Sequence, residues 1–209
     1  MLLPPPALRE FFGSIDIYLF DQLLKGRLVP GMRILDAGSG SGRNLPYFLR
    51  HGFDVCAVDE EPSALAEVRA LAAALAPALP PTNFRVEALD ALSFADGEFD
   101  VVIASAVLHF ARDGGHFEAM VRELWRVLRP GGFFFARLAS SIGLESRIVP
   151  RGGGRYHLPD GSDRFLVDEA LLGAMPAALG GKPLEPLKTV NVENLRCMTT
   201  WVLRKDEPK

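Results

Sequence analysis

Asp36 is followed by glycines at positions 38, 40 and 42, and this D-x-G-x-G-x-G run comes directly after the apolar stretch Arg33–Ala37. Glycine has no Cβ, so a glycine-rich turn behind a strand lets the backbone approach a bound molecule closely. The spacing is not that of the dinucleotide fingerprint G-x-G-x-x-G. Its third glycine would fall on Arg43, whereas here the third glycine is Gly42. Asp59 ends a second apolar stretch about 20 residues past the turn, where a carboxylate can accept both hydroxyls of a ribose. Asp90 follows a third stretch and is placed to accept an amino group, with the Ala91 and Leu92 backbone nearby. His109 follows a fourth. An imidazole titrates near neutral pH and suits proton removal from an arriving nucleophile, but a lone histidine there also reads as a satisfied structural residue.

The elements that must position these residues alternate between short apolar runs and amphipathic segments. Strands are expected at Arg33–Ala37, Asp54–Asp59, Phe84–Glu87, Phe99–Ser105 and Gly132–Leu138. Helices are expected over Asn44–His51, from Pro62 to about Ala74, Phe117–Leu128 and Asp168–Leu179, with a further helical stretch at Ala7–Leu24. Leu184–Asn194 and Arg196–Arg204 read as two final strands with a tight turn at Glu193-Asn194. Strands alternating with helices imply an α/β fold with a doubly wound sheet, and the apolar centre of Phe99–Ser105 fits a parallel strand covered on both faces. In such sheets ligands lie beyond the carboxyl ends of the strands, which collects Asp36, Asp59, Asp90 and Ser105 at one edge.

The chain has 209 residues, 48% of them hydrophobic and 23% charged, with a formal net charge of −3. One domain over 1–209 is expected, with a helical N-terminal cap over 1–30. The charge balance argues against nucleic-acid binding through a bulk basic surface. The two cysteines, Cys56 and Cys197, have no metal-ligand spacing, so no metal site is expected, and a buried thiol at Cys56 fits a reduced, cytoplasmic setting. The N-terminal stretch lacks a secretory pattern, and no apolar run reaches the roughly 18 residues of a membrane span. The sequence leaves the oligomeric state open.

From about Met32 to Leu138 the chain resembles the class I S-adenosylmethionine (SAM)-dependent methyltransferases. Ile34–Gly42 is similar to their motif I, Val55–Asp59 to the ribose-binding acidic motif, and Leu89-Asp90-Ala91 to the adenine-edge motif. Phe99–His109 resembles their fourth-strand motif, and Leu124–Gly132, reading L-W-R-V-L-R-P-G-G, the turn from helix to fifth strand. Ser39 stands where many members carry cysteine. Gly42-Arg43-Asn44 is similar to small-molecule members that modify tellurite and thiols. The resemblance implies a Rossmann-like, seven-stranded, mostly parallel sheet of order 3-2-1-4-5-7-6 with strand 7 antiparallel. It implies SAM as cofactor, held by Asp36, Ala37, Gly38, Ser39, Gly40, Gly42, Arg43, Asp59, Glu60, Asp90, Ala91 and Ser105. Asp36 either meets the methionine end or anchors the loop through backbone N–H groups. Arg43 either lies near the cofactor carboxylate or is a surface charge on a helix.

The implied reaction is methyl transfer to a small-molecule acceptor by in-line displacement, in which positioning carries most of the catalysis. His109 is the candidate base for a nucleophile that arrives protonated; a pre-ionised nucleophile would need none. Tyr18, His109, Arg112, Arg137, His157 and Arg164 are the candidates at the acceptor mouth. The competing readings are a non-catalytic SAM-binding or partner-binding module and, against the glycine spacing, an NAD-dependent oxidoreductase. The segment 140–167 interrupts the alternation after strand five. Arg155–Leu158 and Arg164–Val167 fit a hairpin turned at Pro159–Ser162, with Gly152–Gly154 as a hinge and arginines suited to an anionic acceptor. With the helix around Phe11–Tyr18 it forms a candidate lid over the acceptor.

Overall fold

The computed structural model describes residues 5–207. Its strands are β1 (Arg33–Ala37), β2 (Asp54–Asp59), β3 (Phe84–Val86), β4 (Phe99–Ser105), β5 (Leu128–Ser140), β6 (Val149–Gly152), β7 (Arg155–His157), β8 (Asp163–Phe165), β9 (Gly181–Pro183), β10 (Lys188–Val192) and β11 (Arg196–Lys205). Its α-helices are α1 (Pro5–Phe12), α2 (Ile17–Leu24), α3 (Pro46–Arg50), α4 (Pro62–Leu75), α5 (Gly114–Val127) and α6 (Glu169–Leu179). The main sheet has the order β10-β11-β5-β4-β1-β2-β3. β1, β2, β3, β4 and β5 pair in parallel, while β11 is antiparallel to both β5 and β10. With β10 and β11 as sixth and seventh strands, this is the expected order 3-2-1-4-5-7-6. An eighth short strand, β9, pairs with the far end of β11.

Period-two alternation along the central strands makes two cores. Leu35, Val102, Ala104, Phe134 and Trp201 face α5 and α6 with Phe117, Leu124 and Leu172. Ile34, Val101, Ile103, Phe133 and Phe135 face the other way, onto Leu19, Phe48, Leu65 and Val68 of α2, α3 and α4. Every strand residue named here is essentially inaccessible to solvent, as a parallel sheet covered on both faces requires. Cys56 of β2 is equally buried, and burial pushes its thiol up to about 12.

Several boundaries differ from the sequence expectation. The helical stretch expected over Ala7–Leu24 is two helices. Gly13 takes a left-handed backbone (φ +66°) where a Cβ would lie 2.7 Å from Pro46, and Asp16 caps α2 by accepting from Tyr18 N. The helix expected from Asn44 starts at Pro46, because the Asn44 side chain is used elsewhere, accepting from Asp16 N at 3.0 Å. β5 begins at Leu128, not Gly132. Arg129–Gly132 stay in the strand as an irregularity, with the register passing from Phe99–Leu128 to Val101–Phe133. The strand expected over Leu184–Asn194 shortens to Lys188–Val192.

The segment after β5 is a three-stranded antiparallel sheet, β6-β7-β8, rather than a two-stranded hairpin; the β7–β8 hairpin itself forms as expected. Of the three glycines expected as a hinge, Gly152 is open and the other two are packed against neighbours. A Cβ on Gly154 would sit 2.4 Å from the Phe165 ring, and one on Gly153 3.2 Å from Asp113. Arg155 holds the small sheet down by donating to Ala111 O at 2.7 Å. Among the described residues no helix is long and apolar enough to cross a membrane.

Candidate active site

A cleft of about 450 Å³ opens at the carboxyl ends of β1, β2 and β4. Gly38 and Gly40 form one wall. Gly38 (φ +68°) passes so close to Val107 that a Cβ would lie 2.2 Å from its Cγ2, whereas a Cβ on Gly40 would meet nothing within 4 Å. The first glycine is therefore needed for packing, and the second leaves the cleft open beside the backbone. Asp59 and Glu60 line the next wall. The Asp59 carboxylate accepts from Gly40 N at 2.8 Å and from Glu61 N at 3.0 Å, so it ties the glycine turn to the end of β2.

Asp36 lies beneath this turn. It is buried, and neither carboxylate oxygen has a hydrogen-bond partner. Burial raises its carboxyl to about 7, the Arg43 charge opposes the rise and the Asp59 charge adds to it. Of the two roles open to Asp36, loop anchoring through N–H groups is therefore not present. The loop N–H groups of Gly38 and Ser39 go instead to Val58 O, at 2.9 and 3.1 Å.

Asp90 does not itself line the cleft but lies behind two residues that do, 3.3 Å from His116 Nε2 and 3.7 Å from Arg112 Nη2. His116 Nδ1 accepts from Arg112 N at 3.1 Å, so the ring hydrogen of the neutral imidazole is on Nε2, the nitrogen nearer Asp90. Arg112, expected at the acceptor mouth, thus belongs to this cleft. Ala37 is part of the sheet core, Ser39 is buried with its hydroxyl on Gly40 O, and Ala91 N donates to Ala88 O; none of the three lines the cleft. Gly42 (φ +81°) turns the chain against Leu45 and Val68.

Arg43 and Ser105 are drawn away from the cleft. Arg43 Nη2 donates to Ser105 Oγ at 2.8 Å, and both meet the buried Asp16, whose Oδ2 also accepts from Arg137 Nη1 at 3.0 Å. Arg43 and Arg137 instead line a second chamber of about 310 Å³, beside His109, Arg164 and Arg196. Its roof is Leu158, Asp160, Ser162 and Arg164 of the small sheet and its turn, and its apolar wall is Ala139, Val192 and Met198. Ala106, in a left-handed conformation (φ 65°), lines both chambers. Tyr18 stands behind Arg137, its ring 5.5 Å from the guanidinium, and His157 pairs with Asp163 at 2.7 Å on the small sheet; neither lines the chamber.

His109 is buried in the wall of the second chamber, and its Nδ1 accepts from Ala139 N at 3.3 Å. β4 ends at Ser105, so nothing in the sheet reaches this N–H of β5, and the imidazole takes the place of a ladder carbonyl. The ring hydrogen is therefore on Nε2. Burial, and then the Arg164 and Arg196 charges, lower the imidazole to about 4. The ring is a neutral donor at neutral pH, and the nitrogen a base would use is occupied.

The sequence reading did not find His116, Arg196 or Asp16. Asp113 three residues before His116 marks a helix start, but nothing local connects His116 to Asp90. Arg196 begins a strand and reads as an edge charge. Asp16 falls inside the helical stretch expected over Ala7–Leu24, so its place between two helices, as the cap of α2, was not foreseen.

Residues 35–136 match the sequence model of the methyltransferase-domain family. The chain is 31% identical over 169 residues to malonyl-[acyl-carrier protein] O-methyltransferase of Enterobacter lignolyticus, covering 79% of this chain and 61% of that protein. It is 33% identical over 158 residues to a ubiquinone biosynthesis O-methyltransferase of Methylocella silvestris, covering 73% and 59%. This core is a class I SAM-dependent methyltransferase domain. The chain spans about three fifths of the length of these curated relatives. The fold is also that of a Burkholderia thailandensis 1,6-didemethyltoxoflavin-N1-methyltransferase solved with its substrate and S-adenosylhomocysteine, with a TM-score of 0.67 at 20% identity, covering 99% of this chain and 92% of that one. The methyltransferase domain here fits its cofactor on three features of its own: an unpartnered buried carboxylate at Asp36, an open backbone at Gly40 and a carboxylate fixed at Asp59.

Proposed function

We propose that the protein transfers a methyl group from SAM to a small-molecule acceptor, with the cofactor in the cleft and the acceptor in the second chamber. The observation that carries this reading is the opposite electrical character of two chambers that meet at Ala106. Asp59 and Glu60 line the cleft, Asp36 lies beneath it and Asp90 stands behind its one lining arginine, Arg112, whereas four arginines line the chamber. When bound, SAM supplies an electrophilic methyl on a sulfonium, open to in-line displacement. Asp59 would hold the ribose hydroxyls with Glu60 beside it, Asp90 fixed by His116 would face the adenine, and Asp36 would answer the cofactor's positive charge. His109 would donate from Nε2 to the acceptor and orient it, not remove its proton. The small sheet would roof the acceptor, and residues 1–209 would form one catalytic unit in the cytoplasm. The test is calorimetry with SAM, S-adenosylhomocysteine and NAD, followed by transfer of a labelled methyl into metabolite pools. Binding of both SAM forms and a labelled product are expected. Tight NAD binding with silence toward both SAM forms would overturn the reading, and SAM binding with no labelled product would leave a binding module.

A further inference from the structure

Four guanidinium groups, from Arg43, Arg137, Arg164 and Arg196, line a chamber of about 310 Å³. Only two carboxylates answer them. Asp16 is buried between Arg43 and Arg137, at 3.4 and 3.0 Å, and Asp160 lies 3.9 Å from Arg196. The four cations come from the segment after β1, from β5, from the small sheet and from β11, elements far apart in the chain that converge here.

The hydrogen-bonding capacity is as lopsided as the charge. Arg137 Nε is buried without an acceptor. His109 offers Nε2–H, because its Nδ1 is committed to Ala139 N. Arg164 spends one Nη on Asp163 O and lies 4.8 Å from the Phe110 ring, the ring that lines the neighbouring cleft. The acceptor atoms are already used: Asp160 Oδ1 takes Ser162 N and Oγ, at 2.9 and 2.6 Å, and its Oδ2 faces Arg196. A space walled by donors with few free acceptors selects a ligand rich in acceptors, and forked guanidinium donors match planar or tetrahedral oxyanions. The rest of the wall, Leu158 and Met198 among it, is apolar. The depressed proton affinity of His109, caused after burial by Arg164 and Arg196, reports the same positive potential.

We propose that this chamber binds small molecules in which an oxyanion is joined to an apolar body, the oxyanion held by Arg164 and Arg196 and the body against Leu158 and Met198. This deepens the function proposed above by naming the acceptor's class, and it rests on that reading for the chamber's role. It stands on its own as a statement about binding.

The test uses the full chain, with and without saturating S-adenosylhomocysteine. Hexanoate, its uncharged analogue hexanamide, and inorganic phosphate are titrated by calorimetry. In parallel the His109 ring resonance, assigned by its loss in His109→Gln, is followed by NMR. Saturable hexanoate binding that shifts this resonance is expected, at least tenfold tighter than hexanamide. Arg164→Gln and Arg196→Gln should each weaken it at least tenfold, while Arg122→Gln, at an exposed position of α5, should leave it unchanged. Phosphate binding with hexanoate silent supports the same oxyanion recognition and assigns phosphate esters as its source. Equal affinity for acid and amide, silence toward both anions, or unchanged affinity in both arginine variants overturns the proposal. Acid binding in a protein that ignores S-adenosylhomocysteine would sink the cofactor reading and leave the chamber assignment standing.

Discussion

Asp16 Oδ2 lies 3.0 Å from Arg137 Nη1, an ion pair that joins the segment between the first two helices to the middle of β5. The same oxygen accepts from Ser105 Oγ at 3.3 Å and lies 3.4 Å from Arg43 Nη2, while Oδ1 caps α2 through Tyr18 N. One carboxylate thus ties the second chamber's Arg43 and Arg137 to the start of α2. Asp16→Asn keeps a capping oxygen but removes the counterion of two guanidiniums. We expect a loss of about 2–3 kcal/mol, below the range for a fully buried pair because both arginines are partly exposed. Urea denaturation measures it, and an unchanged midpoint would show that the pair is thermodynamically idle.

His109 carries a second expectation. Removing its imidazole orphans the buried Ala139 N–H, which costs about 1–3 kcal/mol. His109→Ala should therefore destabilise the fold, and His109→Gln, whose amide oxygen can accept, should recover part of the loss. The folded imidazole titrates at about 4, below its ordinary 6.5. Its stabilising share is complete above 6.5 and is lost as pH falls toward 4, because only the unfolded chain takes up the proton in that window. The slope of stability against pH between 6.5 and 4 should be shallower in His109→Gln. A turnover profile in which an acidic limb near 6.5 disappears with His109 would instead restore the role of a base.

The sheet was legible because a parallel strand covered on both faces must be apolar throughout, and its polar end then marks the ligand edge. Asp36 and Asp59 stand out on that ground, whereas Asp90 lies four residues beyond β3, an edge strand that carries Arg85 and an exposed Val86. The chamber was legible only in part: His109, Arg137 and Arg164 were expected together, whereas Arg43 was expected at the cofactor and Arg196 was not singled out. Its walls come from positions 43, 109, 137, 164 and 196, and no local pattern ties them together. Arg43 and Ser105 misled because they adjoin the glycine turn and the end of β4, yet the buried Asp16 charge, distant in sequence, claims both side chains. The β6 strand was missed because it is exposed along its length and ends in glycine, so neither periodicity nor burial announces it.

Gly38 and Val107 test the packing of the turn. Gly38→Ala meets two separate penalties, contact with Val107 Cγ2 at 2.2 Å and a left-handed backbone at φ +68°. Val107→Gly in the same chain removes the contact, including the Val107 Cβ that would stand at 2.6 Å, and leaves the backbone strain of about 1–2 kcal/mol. The single variant should lose measurable affinity for S-adenosylhomocysteine, and the double variant should recover it in part. Full recovery would mean that the left-handed backbone at Gly38 costs nothing.

Asp59 is expected to act through the turn as well as on the ligand. Its carboxylate takes the Gly40 and Glu61 N–H groups, so Asp59→Ala frees the turn while deleting the proposed ribose acceptor. Charge-assisted hydrogen bonds contribute about 1.5–3 kcal/mol each, so affinity for S-adenosylhomocysteine should fall at least tenfold. Asp59→Asn keeps an oxygen for Gly40 N and should fall between wild type and alanine. An alanine variant that binds as tightly as wild type would reduce Asp59 to a brace for the loop.

Asp36 links cofactor binding to protons. Its carboxyl is raised from 3.8 to about 7 chiefly by burial, with both oxygens unpartnered. A group raised in the folded state contributes stability that is complete below 3.8 and is lost as pH climbs through about 7, because the unfolded chain ionises first. The ligand-free protein should therefore lose stability across that window, and Asp36→Asn, neutral throughout, should lose less. A cofactor carrying a sulfonium and an ammonium favours the ionised carboxylate. Binding at pH 6.5 should expel a fraction of a proton, read by calorimetry as a binding heat that depends on the ionisation enthalpy of the buffer. The dependence should vanish in Asp36→Asn. Buffer-independent heats in the wild-type protein would mean that Asp36 does not change its charge when the cofactor arrives.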